Sequence, residues 1–490
     1  MISTLDLFLR SRKRLVSVVL YGLTIMLPRL ALGVLVILYT TVFSPREYGT
    51  YGLLSAVLAF FSVFVDLGLP SAILRNFYSD EKQALTYLSA AIYGARIVML
   101  AALPLVGSAL FLVWHFIGVG VSHAWLYIPL LLAIAYIDRT ADILAAICRA
   151  LEKPINFTMG RVVQTAAQIA AGYLLVFVFK IGVVGAYLAM LIGEISSWIF
   201  YEIVVVRRLG IKPARFNWPV MKACLTFGFP LVPTKVAGWG RQLALRPTLA
   251  HVVPMPSVGL YSFASSIAVI PTAFSSAVDL ALSPLYFKRR AGDNSEVFNA
   301  KVFDFALIFL AVLLPVWVFA ITFCSNAIGI FVGAKYSGAV PVTAVLLCAA
   351  YVRMQEPFVV RQIHFLRTTW ILPLVTGPCA ALSVIFTFVF ARHFGIFAAG
   401  WIVLVSDLTI MMVLVWTIRR YEHVHYPIFT ALVLLAVLLS LAVWVGFDEP
   451  GARGWAGIVL KFGIVGISAA MSVRMWIWPR RTFIRELLRS

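Results

Sequence analysis

Long apolar runs alternate with short basic segments along the whole chain, a pattern that predicts an all-α polytopic membrane protein. A membrane-crossing helix needs ~20 predominantly apolar residues. Fourteen runs read as spans: Leu15–Val42, Gly49–Leu74, Leu85–Trp114, Trp125–Cys148, Val162–Phe179, Val183–Val206, Ala223–Val253, Val258–Phe287, Val302–Cys324, Ala339–Val360, Trp370–Phe390, Phe397–Ile418, Ile428–Val445 and Trp455–Trp478. The seventh is the least apolar, with Pro230, Pro233, Pro247, Lys235, Arg241 and Arg246 inside it. Such a segment persists in a bilayer only where its freed backbone groups and charges face protein or water. The N-terminal cluster Arg10, Arg12, Lys13 and Arg14 precedes a run too long for a cleavable signal, so it reads as the start of a first span.

Charge orients these spans. With the N-terminus inside, the inner segments hold 26 basic residues and the outer loops 5, a bias that places both termini in the cytoplasm. The same numbering reveals a repeat. Glu47-Tyr-Gly-Thr-Tyr51 resembles Ser257-Val-Gly-Leu-Tyr261, and Asp66-Leu-Gly-Leu-Pro70 resembles Asp279-Leu-Ala-Leu-Ser-Pro284. Gly182-Val-Val-Gly-Ala186 resembles Gly395-Ile-Phe-Ala-Ala399, and Arg207-Arg208 resembles Arg419-Arg420, all at offsets of 210 to 213. Tyr136 with Arg139, and Tyr351 with Arg353, fit the register loosely. The expectation is two six-helix lobes, 1–208 and 209–420, followed by helices 13 and 14 with a basic tail at 421–490. Six is even, so the lobes share one orientation, and a transport site is expected near the midplane between them.

Composition narrows the chemistry. A chain that is 62% hydrophobic yet carries 40 Lys+Arg against 20 Asp+Glu is not a soluble enzyme. Six cations fall inside apolar runs: Arg29, Arg96, Arg139, Lys235, Arg241 and Arg353. Each costs ~2.5–3.5 kcal/mol near the bilayer centre even on the lenient insertion scale, so a polar cavity that receives an anion is the functional reading. Arginine suits phosphate, because its planar fork stays charged and donates bidentate hydrogen bonds. The bland reading is that these cations snorkel or pair with carboxylates. It weighs most on Arg139, flanked by Asp138 and Asp142, and least on Arg29 and Arg241, which have no acidic residue within a turn.

The intramembrane carboxylates are Asp66, Asp138, Asp142, Glu194, Asp279, Asp304, Glu356 and Asp407. They read either as counter-ions and wetted span ends or as coupling sites for a proton or sodium ion. Asp66 and Asp279 sit at equivalent inner span ends, near Arg75 and Lys288, which favours the structural role for both. The five cysteines lack paired spacing, no Gly-x-x-x-x-Gly-Lys-[Ser/Thr] or His-Glu-x-x-His occurs, and no catalytic residue, cofactor or metal is expected. Asn156-Phe-Thr158 lies in an inner loop, where a glycosylation match is fortuitous. No loop is long enough to house a catalytic domain.

The stretches Ser44-Pro-Arg-Glu-Tyr-Gly-Thr-Tyr-Gly-Leu-Leu-Ser55, Asp66-Leu-Gly-Leu-Pro-Ser-Ala-Ile-Leu-Arg75, Phe227-Gly-Phe-Pro-Leu-Val-Pro233, Val258-Gly-Leu-Tyr-Ser262 and Gly333-Ala-Lys-Tyr-Ser-Gly338 are spread over both lobes. With the span count, they resemble the polysaccharide transporters, the lipid-linked oligosaccharide flippases of the multidrug/oligosaccharidyl-lipid/polysaccharide exporter superfamily. The resemblance implies a bacterial inner-membrane protein that moves an undecaprenyl-pyrophosphate-linked repeat unit to the periplasmic leaflet by alternating access, for O-antigen or exopolysaccharide synthesis. It implies a cationic central cavity, and a groove at spans thirteen and fourteen for the lipid tail. The expected partners are the lipid-linked oligosaccharide, the bilayer, a polysaccharide polymerase and a chain-length regulator. Nucleic acid is not among them, and a monomer is the default. The alternatives are a cation-coupled multidrug exporter of the same superfamily, which predicts acidic rather than cationic cavity residues, and a membrane glycan polymerase or ligase.

Overall fold

The structure, a computed structural model, describes residues 33–77, 84–117, 124–151, 153–208, 211, 215–272, 295–365, 370–421, 427–447 and 455–477. Most of the first run with Arg29, and the part of the eighth that carries Asp279, lie outside these residues. The regular elements among the described residues are all helices, without strands, and nine of them are long and apolar enough to cross a membrane. The chain is therefore a multi-pass membrane protein. Packing divides it into two compact units, Met1–Gly259 and Leu260–Ser490.

The N-terminal unit begins with α1 (Gly33–Val42) and α2 (Pro45–Asp66). A capping box starts α2: the Ser44 hydroxyl accepts from the Glu47 amide, and the Ser44 amide donates back to the Glu47 carboxylate. Pro45 at the first helical position removes an N–H that had no partner to lose. Leu67 and Gly68 turn left-handed (φ 48° and 74°) and end the helix before α3 (Leu69–Phe77). There follow α4 (Ala84–Ile117), α5 (Ala124–Ala150), α6 (Pro154–Gly172) and α7 (Val183–Tyr201), the last two running on into π-turns at Tyr173–Val178 and Glu202–Arg207. A Cβ on Gly193 would lie 2.9 Å from the Gln168 Cβ and 3.0 Å from the Gln164 carbonyl, so glycine is what lets α7 approach α6 this closely.

The seventh run is three short helices, not one: α8 (Trp218–Gly228), α9 (Val232–Gln242) and α10 (Leu245–Val252), with a 3-10 turn at Phe229–Leu231. Pro230 and Pro233 supply the physical reason, since each lacks the N–H that would continue the ladder. This segment packs along α2. α11 (Met255–Val269) then crosses the boundary between the units.

The C-terminal unit contains α12 (Ser295–Phe331), α13 (Val340–Arg353), α14 (Glu356–Phe365), α15 (Ile371–Tyr421), α16 (Ile428–Phe447) and α17 (Trp455–Ser472). α15 is two spans in one continuous stretch. Gly395 breaks it with φ 61° and ψ −150°, between the eleventh and twelfth predicted runs. Trp317 is fully buried and donates to the Leu347 carbonyl at 2.8 Å, tying α12 to α13. Lys461, 1% exposed, donates to Asn326 Oδ1 at 2.7 Å and ties α17 to α12.

Candidate functional site

The middle of α5 carries Asp138, Arg139 and Asp142, three charges that one helical turn brings to neighbouring positions. Arg139 ion-pairs with Asp138, lies 3.2 Å from Asp142 Oδ2 and reaches to 3.7 Å from Asp66 Oδ2 at the end of α2. Lys235, on α9, ion-pairs with that same Asp66 oxygen. On the other side, Arg161 of α6 meets Asp142 Oδ1 at 2.5 Å and donates to Gln164 Oε1 at 2.8 Å. Gln164 then donates to Glu194 Oε1 on α7 at 2.6 Å. One polar chain thus links α9, α2, α5, α6 and α7 inside the N-terminal unit.

Burial explains why the chain is continuous. An isolated charge removed from water is strongly penalised, and pairing with good geometry offsets that penalty. The distribution of exposure is uneven. The Asp66 side chain is 4% exposed, against 31% for Lys235, 25% for Arg139 and 21% for Arg161. The contrast is confined to Asp66, since Asp138 and Asp142 are 16% and 24% exposed, about as open as the two arginines. Asp66 Oδ1 and Glu194 Oε2 are buried without a hydrogen-bond partner.

The remaining predicted cations sit elsewhere. Arg96 of α4 grips Glu202 with both terminal nitrogens, at 2.5 and 3.3 Å, and stands over the Tyr93 ring. Arg353, in the C-terminal unit, donates to Asp407 Oδ2 through Nη2 at 2.7 Å and Nε at 3.2 Å. Arg241 occupies the last turn of α9 and is half-buried. Arg29 lies outside the described residues. Of the six candidates, the structure brings Lys235 and Arg139 together, through Asp66.

Sequence reasoning missed Arg161 and Arg246. Arg161 stands one residue before the fifth run, Val162–Phe179, but α6 begins at Pro154 and carries it into the network. The Arg161/Gln164 spacing on a helix was the available signal. Arg246 of α10 donates to the Gly52 carbonyl at 3.3 Å. Asp66 was expected beside Arg75; its partners are Lys235 and Arg139.

Asp407 stands 213 positions after Glu194, and Arg353 stands 214 after Arg139. In the C-terminal unit that register yields a direct ion pair. In the N-terminal unit the corresponding residues are joined through intervening Asp142, Arg161 and Gln164.

A family model described as "Polysaccharide biosynthesis protein" matches residues 40–341. Several solved structures share the fold. The lipid II flippase MurJ in an inward closed conformation aligns with TM-score 0.71 at 17% identity, covering 94% of this chain and 100% of that one. An inward-facing multidrug resistance MATE transporter of the MOP superfamily aligns with TM-score 0.58 at 14% identity, covering 84% of this chain and 96% of its own. The Vibrio cholerae MATE transporter VcmN aligns with TM-score 0.54 at 15% identity, covering 83% and 98%. No curated protein matches the chain in sequence.

Proposed function

The chain belongs to the polysaccharide biosynthesis protein family and has a transporter fold, and from that premise we propose that it flips a polyprenyl-diphosphate-linked oligosaccharide from the cytoplasmic to the periplasmic leaflet of a bacterial inner membrane. The observation that supports this most is the cluster of part-exposed cations Lys235, Arg139 and Arg161, the first two of them on the buried Asp66, among membrane-length helices. A diphosphate presented there replaces its water with ammonium and guanidinium donors. Arg29, Arg241, Arg96 and Arg353 are further candidate headgroup contacts. The prenyl tail stays in lipid while the headgroup crosses by alternating access. Outward movement of an anion runs with the membrane potential of a cell that is negative inside, by ~2.3 kcal/mol per charge per 100 mV. A polymerase and a chain-length regulator would consume the product.

The second reading is a cation-coupled multidrug exporter. It is favoured by Asp66, Asp138, Asp142 and Glu194, four carboxylates in one network with three cations. The discriminating experiment measures the leaflet in which lipid-linked oligosaccharide accumulates in cells that lack the chain. Wild type is expected to relieve inner-leaflet accumulation, and a well-expressed Arg29→Ala, Arg241→Ala double variant is expected not to. Unchanged sidedness on deletion moves the assignment to drug export.

A further inference from the structure

We propose that Asp66 is a built-in stand-in for the substrate's diphosphate: it holds Lys235 in the unloaded protein and gives it up to the headgroup on loading. The proposal rests on the flippase reading and names the residue that sets headgroup affinity within it.

Three features of the Asp66 contacts carry it. First, among the described residues, Asp66 is the one carboxylate within ion-pair distance of Lys235. Second, the pair is lopsided. The carboxylate is fixed at a helix end and nearly inaccessible, whereas Lys235 is 31% exposed on a flexible four-carbon stem. An arriving anion meets the lysine, and the lysine is the partner that can move. Third, Arg139 already stands 3.7 Å from the same Asp66 oxygen. When Lys235 leaves, Arg139 stays near that oxygen and offsets part of the cost of leaving Asp66 buried, the rest falling on the headgroup's stronger contacts with Lys235. A diphosphate brings more negative charge and more acceptors than a carboxylate, and an ammonium has three donors to satisfy. The exchange is therefore directed toward substrate and is poor for a singly charged anion.

The position of the pair gives the exchange a consequence. α9 and α10 lie along α2, and the end of α8 and α11 meet the two ends of that seam. Gly228 meets Gly68 at one end, where a Cβ on Gly68 would come 2.4 Å from the Gly228 carbonyl. Lys235 meets Asp66, Trp239 donates to the Ala56 carbonyl at 2.8 Å with its ring 4.5 Å from that of Phe60, and Arg246 donates to the Gly52 carbonyl. Gly259 meets Gly49 at the other end, with 3.0 Å between a Cβ on Gly49 and the Gly259 amide. Lys235–Asp66 is an ion pair in this seam, and hence a rung that an anionic substrate can dissolve. By sequence register α8 opens the second lobe, so a rung that yields to substrate ties loading to the freedom of that lobe's first segment.

The test is equilibrium binding of a fluorescent short-chain polyprenyl diphosphate to the purified full-length protein in detergent. Relative to wild type, Asp66→Asn is expected to tighten binding about tenfold, because the competing anion is gone. Lys235→Ala is expected to weaken it, and Asp66→Asn is expected to give no gain on the Lys235→Ala background. Lys235→Arg keeps the charge but grips Asp66 with a planar fork, so it weakens binding about threefold or more. A merely structural ion pair predicts the opposite sign for Asp66→Asn, and weaker or unchanged binding there overturns the proposal. If Asp66→Asn does not fold, unchanged or tighter binding by Lys235→Arg overturns it instead. Inorganic diphosphate should compete with the probe, and chloride at matched ionic strength should not. Equal competition by both anions is a further refutation. A wild-type protein that binds no polyprenyl diphosphate overturns the flippase reading as well, whereas binding without the tightening overturns this proposal alone.

Discussion

Replacing Asp407 with alanine should destabilise the C-terminal unit more than any exposed substitution. Asp407 is 1% exposed, and one of its oxygens receives two hydrogen bonds from Arg353, at 2.7 and 3.2 Å. Its removal leaves a guanidinium whose side chain is only 24% exposed. Breaking a fully buried pair from one side costs about 3–5 kcal/mol. Partial access of water to Arg353 reduces that to about 2–3 kcal/mol. At about 2–4 °C per kcal/mol for a unit of this general size, the melting temperature should fall by roughly 4–12 °C. Asp407→Asn retains an acceptor and should fall by less. Arg353→Met combined with Asp407→Leu removes both charges and should recover most of the loss, since apolar replacements of a buried pair are often neutral. The protein carries its own reporter: Cys148, Cys224, Cys324 and Cys348 are all buried, so a fluorogenic maleimide reads unfolding as those thiols emerge. Two results refute the reasoning: Asp407→Ala as stable as wild type, or a double variant no more stable than the single one.

Three further outcomes can be checked with similar means. Ser44→Ala removes the hydroxyl of the α2 capping box and should cost about 1 kcal/mol, read as a melting shift of a few degrees at most. Gly228→Ala puts a Cβ 2.4 Å from the Leu67 carbonyl, backbone against side chain with nothing flexible to yield. A loss of about 1–3 kcal/mol is expected, and an unchanged melting temperature would contradict the close approach of α8 to the end of α2. In liposomes, imposing a potential that is negative on the cytoplasmic side should accelerate outward flipping of the diphosphate lipid, and reversing the polarity should slow it. Indifference to polarity would mean that the charge crosses with a compensating cation.

Much of the fold was legible because a bilayer imposes a simple length rule. The runs at Gly49–Leu74, Val183–Val206 and Ile428–Val445 correspond closely to helical spans Pro45–Ile73, Val183–Arg207 and Ile428–Gly446. The proline-laden seventh run was suspect on composition and is broken in the structure. The candidate site was legible only as a list of costly residues. The likelihood of pairing for Arg139 was visible, since Asp138 and Asp142 are its neighbours in sequence. The partner of Arg353 lies 54 residues away and that of Lys235 lies 169 away, and no local pattern announces either.

The sequence by itself therefore determined the class: a polytopic helical protein with a basic excess and with cations inside its apolar runs. These follow from hydrophobicity and charge, which are sums over residues and survive without coordinates. The tertiary structure decided which charges meet. A buried ion's free energy depends on partners within a few ångströms, and helix crossings set those distances. The crossing of α9 over the end of α2 puts Lys235 on Asp66, and the depth of α6 brings Arg161 to Asp142.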